Sequence, residues 1–433
     1  MSFSNFRNVI LLSIGILCLI YLSSCQSIIT TVMKSTLDVS GKELKAIQQT
    51  PEPGTTLTKN AALVLEGIDR FADGNLLLTA QTAKKAGIDL DTENVENVTG
   101  KSSDTLLEGT GISQEAAAAA GSETNDLIAS YLAPKKGDTI ENFTIPTTDD
   151  QQIGIHLHYP SDAKSLIAKQ GKLPVVLVAH GGNYTMGEFS YYTRFTSHIA
   201  NATDSVVVFV DYRLAPEWKF PAQHEDMLST WKWIHEHGAE YGLDADRIAF
   251  FGDSAGANLV AGLVLRLLQE DAQGPRSVVL ICPNVSLDST MLPSRIMFSG
   301  LNGRTFMIPY AIFQDLQEQY LQKPEDAYNP YVSPLVALLG LMELGPDVQT
   351  YYTPHALDIE LPLEHPPTLI QVAQVDPLRD EGILYYSVLK HFGTDVDLKL
   401  YEGMFHEFFL LDMLLPEADQ ALDDMSRFIK SKW

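Results

Sequence analysis

The chain has 433 residues, of which 45% are hydrophobic and 20% charged. That apolar share excludes wholesale disorder, and the length suits one large catalytic domain with an appendage, or two domains. Lys and Arg number 30 against 55 Asp and Glu, and the net charge of −25 repels phosphate backbones and excludes a general nucleic-acid binder.

Arg7 is the only early charge, and Val9 to Leu22 is then almost free of polar side chains. The run is short for a membrane helix, which needs roughly 20 apolar residues, but fits the apolar core of a signal peptide. It ends in Leu22-Ser23-Ser24-Cys25, which resembles a bacterial lipobox. The resemblance implies that the peptide 1–24 is removed and that the Cys25 thiol carries a diacylglycerol holding the chain on a membrane. Gln26 stands where an Asp would suggest retention in the inner membrane. Apolar residues resume from Ser27 to Met33, so an uncleaved span from Val9 to Met33 stays open. Either reading puts the body of the chain in the cell envelope, facing the periplasm or the exterior. The other cysteines are Cys18, inside the apolar run, and Cys282. Three cysteines make no disulfide framework and no pair has metal-ligand spacing, so Cys282 reads as a buried structural thiol.

Residues 25–138 read as a tether with some helix: Pro51-Glu52-Pro53-Gly54 marks a turn, Asn60 to Gly87 has a helical pattern, and Asp89 to Gly111 is polar and acidic. From residue 139 to 433 short β-branched runs alternate with helical patterns. Strands are expected at Asn142–Pro146, Ile153–Tyr159, Val175–Ala179, Ser205–Val210, Ile248–Phe251, Val278–Cys282, Thr368–Ala373 and Val396–Tyr401. Helices are expected at Ser190–Ala200, Gln223–Tyr241, Ala255–Gln269, Tyr310–Leu321, Glu381–Phe392 and Glu417–Ile429. The middle strands are continuously apolar, as strands buried on both faces are. The alternation predicts an α/β fold: a mostly parallel sheet of about eight strands wrapped by helices, with an antiparallel start from the first two strands.

Gly252-Asp253-Ser254-Ala255-Gly256 lies between an expected strand and an expected helix, the context that a G-x-S-x-G nucleophile elbow needs. The turn strains Ser254, so the residues two away must lack a β-carbon. It lifts the hydroxyl above the sheet and aims the Ala255 N–H at a developing oxyanion. The partners follow in the order acid, then histidine. Asp376 comes just after the strand Thr368–Ala373, and His406 just after the last strand, both past the C-terminal strand ends, where open parallel sheets place their sites. His406 is expected to act as the base and Asp376 to orient it. Asp380 reads as a helix cap, and Glu402 and Glu407 flank the histidine too closely to orient it. His180-Gly181-Gly182-Asn183 follows the strand Val175–Ala179 and resembles the HGGG loop of lipases and esterases, whose amides complete an oxyanion hole. The expected donors are Gly181, Gly182, Asn183 and Ala255, with His180 as an anchor of the loop.

Together these segments resemble the bacterial esterases of the hormone-sensitive lipase family of α/β-hydrolases. Asp211-Tyr212-Arg213-Leu214-Ala215-Pro216-Glu217, Phe220-Pro221-Ala222 and Asn329-Pro330-Tyr331-Val332-Ser333-Pro334-Leu335 extend the likeness across roughly 140–433. The resemblance implies hydrolysis of a small-molecule acyl ester, no metal, no organic cofactor, and a helical cap built partly from N-terminal residues. Three features depart from it: Asn183 replaces a third glycine, 336–364 looks like an insertion, and the N-terminal segment is longer than usual. An amidase, a formamidase or a polysaccharide deacetylase would use the same triad. A non-catalytic binder would be expected to have lost it.

Overall fold

All eight apolar runs are strands of one sheet in the computed structural model. The structure describes residues 134, 136–287, 292–298, 316–342, 356, 358–359, 363–412 and 415–433. The Val9–Leu22 run, Cys25, the tether up to 133 and most of the 336–364 insertion lie outside the described residues. No helix among the described residues is long and apolar enough to cross a membrane.

The strands are β1 (Thr139–Pro146), β2 (Gln152–Tyr159), β3 (Leu173–Ala179), β4 (Val206–Asp211), β5 (Leu243–Asp253), β6 (Ser277–Ile281), β7 (Thr368–Val375) and β8 (Val396–Phe405). They lie in the order β1-β2-β4-β3-β5-β6-β7-β8. β1 pairs with β2, and β2 with β4, antiparallel; every pairing from β4 to β8 is parallel. The antiparallel start and the parallel body are therefore as expected. The helices are α1 (Ala163–Gln170), α2 (Phe189–Thr203), α3 (Ala222–His237), α4 (Ser254–Gln269), α5 (Pro293–Phe298), α6 (Pro334–Gly340), α7 (Arg379–His391) and α8 (Pro416–Lys430). Of the helix expected at Tyr310–Leu321, residues 316–320 are described and helical. The short α1, α5 and α6 carry no strong periodic pattern and were not expected.

Every residue of β3 and of β6 is buried. That burial is why these runs are apolar throughout rather than alternating. α4 packs on β5 and β6, α7 on β7, and α2 on β2 and β4. The strand order turns back at β3, which has β4 on one side and β5 on the other. Crevices beyond the C-terminal strand ends at such a point are where open α/β sheets bind ligands.

The segment after β4 is held by one buried cation. Arg213 donates to both oxygens of Asp226 and to both of Asp149, and its guanidinium lies over the Trp218 ring. Asp226 has no exposure at all. Taking one member from such a pair leaves an uncompensated charge in the core. Arg213→Ala is expected to destabilise the fold by about 3–5 kcal/mol, read as a lower urea midpoint with an unchanged slope.

Candidate active site

β5 passes directly into α4 through the expected elbow. Ser254 has φ +49°, in the left-handed region that costs a non-glycine residue energy. The strain is held because the turn has no room to relax. A β-carbon on Gly252 would strike the Gly256 carbonyl, and one on Gly256 would strike the carbonyls of Ala179 and His180. The two flanking glycines thus let α4 start against the end of β3.

Sheet register brings the partners in. Val375 of β7 pairs with Phe405 of β8, so the next residues of each strand, Asp376 and His406, leave the sheet side by side. A bulge makes this possible: between Ala373/Tyr401 and Val375/Phe405, Gln374 faces three residues of β8. The Gln374 Oε1 accepts from the Gly403 N–H at 2.8 Å and fixes the bulge. Bulges commonly re-aim a side chain beside an active site. The His406 Nδ1 lies 2.9 Å from Asp376 Oδ2, and its Nε2 lies 3.1 Å from Ser254 Oγ. A carboxylate only accepts, so Nδ1 carries the proton and Nε2 is left to accept from the serine hydroxyl. The other Asp376 oxygen accepts from the Leu378 N–H at 2.8 Å, which fixes the carboxylate in turn. All three residues are buried.

The loop after β3 is braced from behind. His180 lies between the rings of Tyr212 and Phe209, with centroids 4.1 and 5.3 Å away. Its Nδ1–H donates to the Gly181 carbonyl, and the Tyr212 hydroxyl donates to the His180 carbonyl. Burial pushes the His180 pKa down to about 4, so the ring stays neutral. This is an anchor, as expected. Asn183 and Tyr184 both have positive φ, +54° and +61°. Asn tolerates that region better than most residues, so the backbone that a third glycine would provide is kept.

The expected set of amide donors needs one correction. The Gly181 N–H donates to Asp253 Oδ2 at 2.9 Å and also to the Tyr192 hydroxyl. It is used inside the protein and is not available to a substrate. The N–H groups of Gly182, Asn183 and Ala255 have no acceptor among the described residues. The sequence could not show this, because it depends on Asp253 reaching back from the elbow beneath the loop.

Two other acids differ from the sequence reading. Asp380 sits in the first turn of α7 but makes no cap. It accepts from the Ser294 N–H and from Arg379 Nε, and so ties α5 to α7. Glu407 is not idle: its Oε1 lies 3.3 Å from His406 Nε2. Cys282 is buried, as expected, and its Sγ stands within 4.8 Å of donor atoms of Asp376 and His406. Those three atoms could hold a metal ion only as a thiolate set. Burial, with Asp376 and Glu407 nearby, pushes the thiol well above its usual range and keeps it protonated.

Comparison with known proteins adds the family. A family described by the alpha/beta hydrolase fold matches residues 176–410, more than half of the chain. The chain belongs to that family. Among relatives of this α/β-hydrolase, the esterase LipI of Mycobacterium tuberculosis is 31% identical over 271 residues, 62% of this chain and 75% of its own. Ethyl acetate hydrolase of Pseudomonas putida is 28% identical over 286 residues, 66% of this chain and 80% of its own. A solved structure, the thermophilic carboxylesterase EstE1 from a metagenomic library, is 31% identical with a TM-score of 0.61. The likeness covers 72% of this chain and 94% of that one.

The 3.1 Å contact between Ser254 and His406 should make the hydroxyl nucleophilic. A fluorophosphonate reagent is expected to label Ser254, seen by mass spectrometry of the peptide. His406→Ala should slow that labelling roughly 10²- to 10⁴-fold, the usual worth of a general base.

Proposed function

We propose that this α/β-hydrolase is a serine carboxylesterase that cleaves short- to medium-chain acyl esters through an acyl-enzyme. The observation that carries the reading is the unbroken chain of hydrogen bonds Asp376–His406–Ser254 beside three amides with no acceptor among the described residues. Ser254 Oγ attacks the ester carbonyl carbon and gives its proton to His406 Nε2. Asp376 holds the imidazole tautomer and stabilises the imidazolium. The oxyanion accepts from the N–H groups of Gly182, Asn183 and Ala255, each such donor being worth about 2.7–4 kcal/mol of barrier. The carbon–oxygen bond then breaks, and His406 returns the proton to the leaving alkoxide. Water attacks the acyl-serine with His406 again as base. The carboxylic acid departs and Ser254 regains its proton.

The names of the relatives support ester substrates, and that of the Pseudomonas putida relative supports a short acyl chain. The second part of the proposal is the tether: a lipid on Cys25 keeps the enzyme on a membrane outside the cytoplasm. Its support is the lipobox-like Leu22-Ser23-Ser24-Cys25 at the end of an apolar run.

4-Nitrophenyl esters from acetate to palmitate test the chemistry on the chain from Gln26 onward. Turnover is expected to fall with acyl length and to vanish in Ser254→Ala. Hydrolysis that survives Ser254→Ala would sink the assignment. Folded protein inactive on every ester would point to amides or to binding. For the tether, Cys25→Ser is expected to release the protein from the membrane fraction, and undiminished retention would favour the uncleaved span.

A further inference from the structure

Behind the triad lies a pair of acids that the hydrolysis does not use. Asp253 immediately precedes the nucleophile, Glu407 immediately follows the base, and both are buried. Asp253 Oδ2 accepts from the Gly181 N–H at 2.9 Å and from the Tyr192 hydroxyl at 2.7 Å. Asp253 Oδ1 and both Glu407 oxygens are buried and have no hydrogen-bond partner among the described residues. After burial, the largest influence on each of these two carboxyl groups is the other, so they stand side by side. Two buried acids so placed cannot both ionise without strong repulsion, so one proton is kept between them, and its holder can donate to the other. Asp253 already has two donors that favour its anion, and Glu407 has none. Burial and the neighbouring Asp253 and Asp376 push Glu407 far above the usual carboxyl range. The proton therefore resides on Glu407.

We infer that Glu407 is a positioning residue of the esterase reaction that works in its protonated form, tying the histidine loop to the nucleophile elbow by donating to Asp253. The tie reaches further than these two loops. Through Asp253 it extends to the Gly181 amide, next to the proposed oxyanion donors, and to Tyr192 of α2. Glu407 has φ +62°, and its Oε1 lies 3.3 Å from the histidine nitrogen that faces Ser254. As a neutral acid it makes no ionic claim on that nitrogen. As an anion it would repel Asp253, break the tie and favour a proton on Nε2, and an imidazolium cannot take the serine proton.

The groups facing Glu407 are Asp253 at the end of β5, Asp376 and His406 beyond β7 and β8, and the Cys282 thiol beyond β6. Cys282 stays neutral, because burial raises it too. The working form is the protonated one. On the alkaline side, activity therefore falls as pH rises through the Glu407 titration.

The inference rests on the esterase reading only for its turnover measurements. The fluorophosphonate labelling rate of Ser254 is followed beside kcat across the same pH range, so a failure of ester turnover faults that reading and still leaves this one tested. Glu407→Gln keeps a donor to Asp253 at every pH. It should hold most of the neutral-pH rate and move the alkaline fall up by about one pH unit or more. Glu407→Leu loses the donor throughout, so kcat and labelling should drop roughly 10- to 100-fold with KM little changed. In the infrared, wild-type protein at neutral pH should show a protonated carboxylic acid that Glu407→Gln lacks. An unmoved alkaline fall in Glu407→Gln, a Glu407→Leu variant as fast as wild type, or the absence of that acid band would each overturn the inference.

Discussion

The backbone of α4 begins so close to the end of β3 that a single β-carbon at Gly256 would collide with two carbonyls of that strand and its loop. The active site depends on this approach. It puts the Ala255 amide, in the first turn of α4, beside the loop from His180 to Tyr184. It also holds Ser254 in a left-handed conformation that an isolated serine would avoid. The energy for holding it comes from the sheet, where β3 and β6 are buried along their whole length. A rigid core carrying a strained turn is a common division of labour in enzymes, because strain persists only where the surroundings over-determine it.

Around that contact, polar groups are packed in layers. The first layer is the proposed catalytic set: Ser254, His406 and the amides. Behind it stand Asp376, fixed by the Leu378 N–H, and Asp253, fixed by Tyr192 and Gly181. Behind these, Tyr212 and Phe209 sandwich His180. Farther out, Glu381 accepts from Arg295 and from the N–H groups of Val285 and Ser286, joining α7, α5 and the loop after β6. Among the described residues, the buried charges meet an opposite charge or hydrogen-bond donors, whereas Glu407 is inferred to keep a proton instead. The strongly acidic composition of the chain therefore says little about its interior, where partners decide which acids ionise.

Much of this could be read from the residues, because the fold rests on local patterns. Continuous apolar runs located β3 to β7, and strand ends gave Asp376 and His406, since in a parallel sheet all C-terminal ends share one edge. Asn183 could be read as a left-handed residue from its chemistry alone. What could not be read were contacts between segments distant in sequence. Gly181 looks like its neighbour Gly182 until Asp253 is seen to take its amide. Glu407 looks too close to His406 to matter, because adjacency in sequence hides a backbone that turns the side chain back on the ring. The β8 bulge left no signal beyond Gly403, and α1, α5 and α6 are too short for a helical period to register.

The pairing of β6 with β7 bears on how the enzyme comes into being. These strands are neighbours in the sheet, yet all of 282–367 lies between them in the chain. Closing so long a loop costs entropy before any contact repays it, so this pairing forms late. The proposed nucleophile lies before the gap, and the proposed acid and base lie after it. An unfinished or partly folded chain thus holds a serine with no base, and the hydrolase becomes reactive only once its last strands have docked.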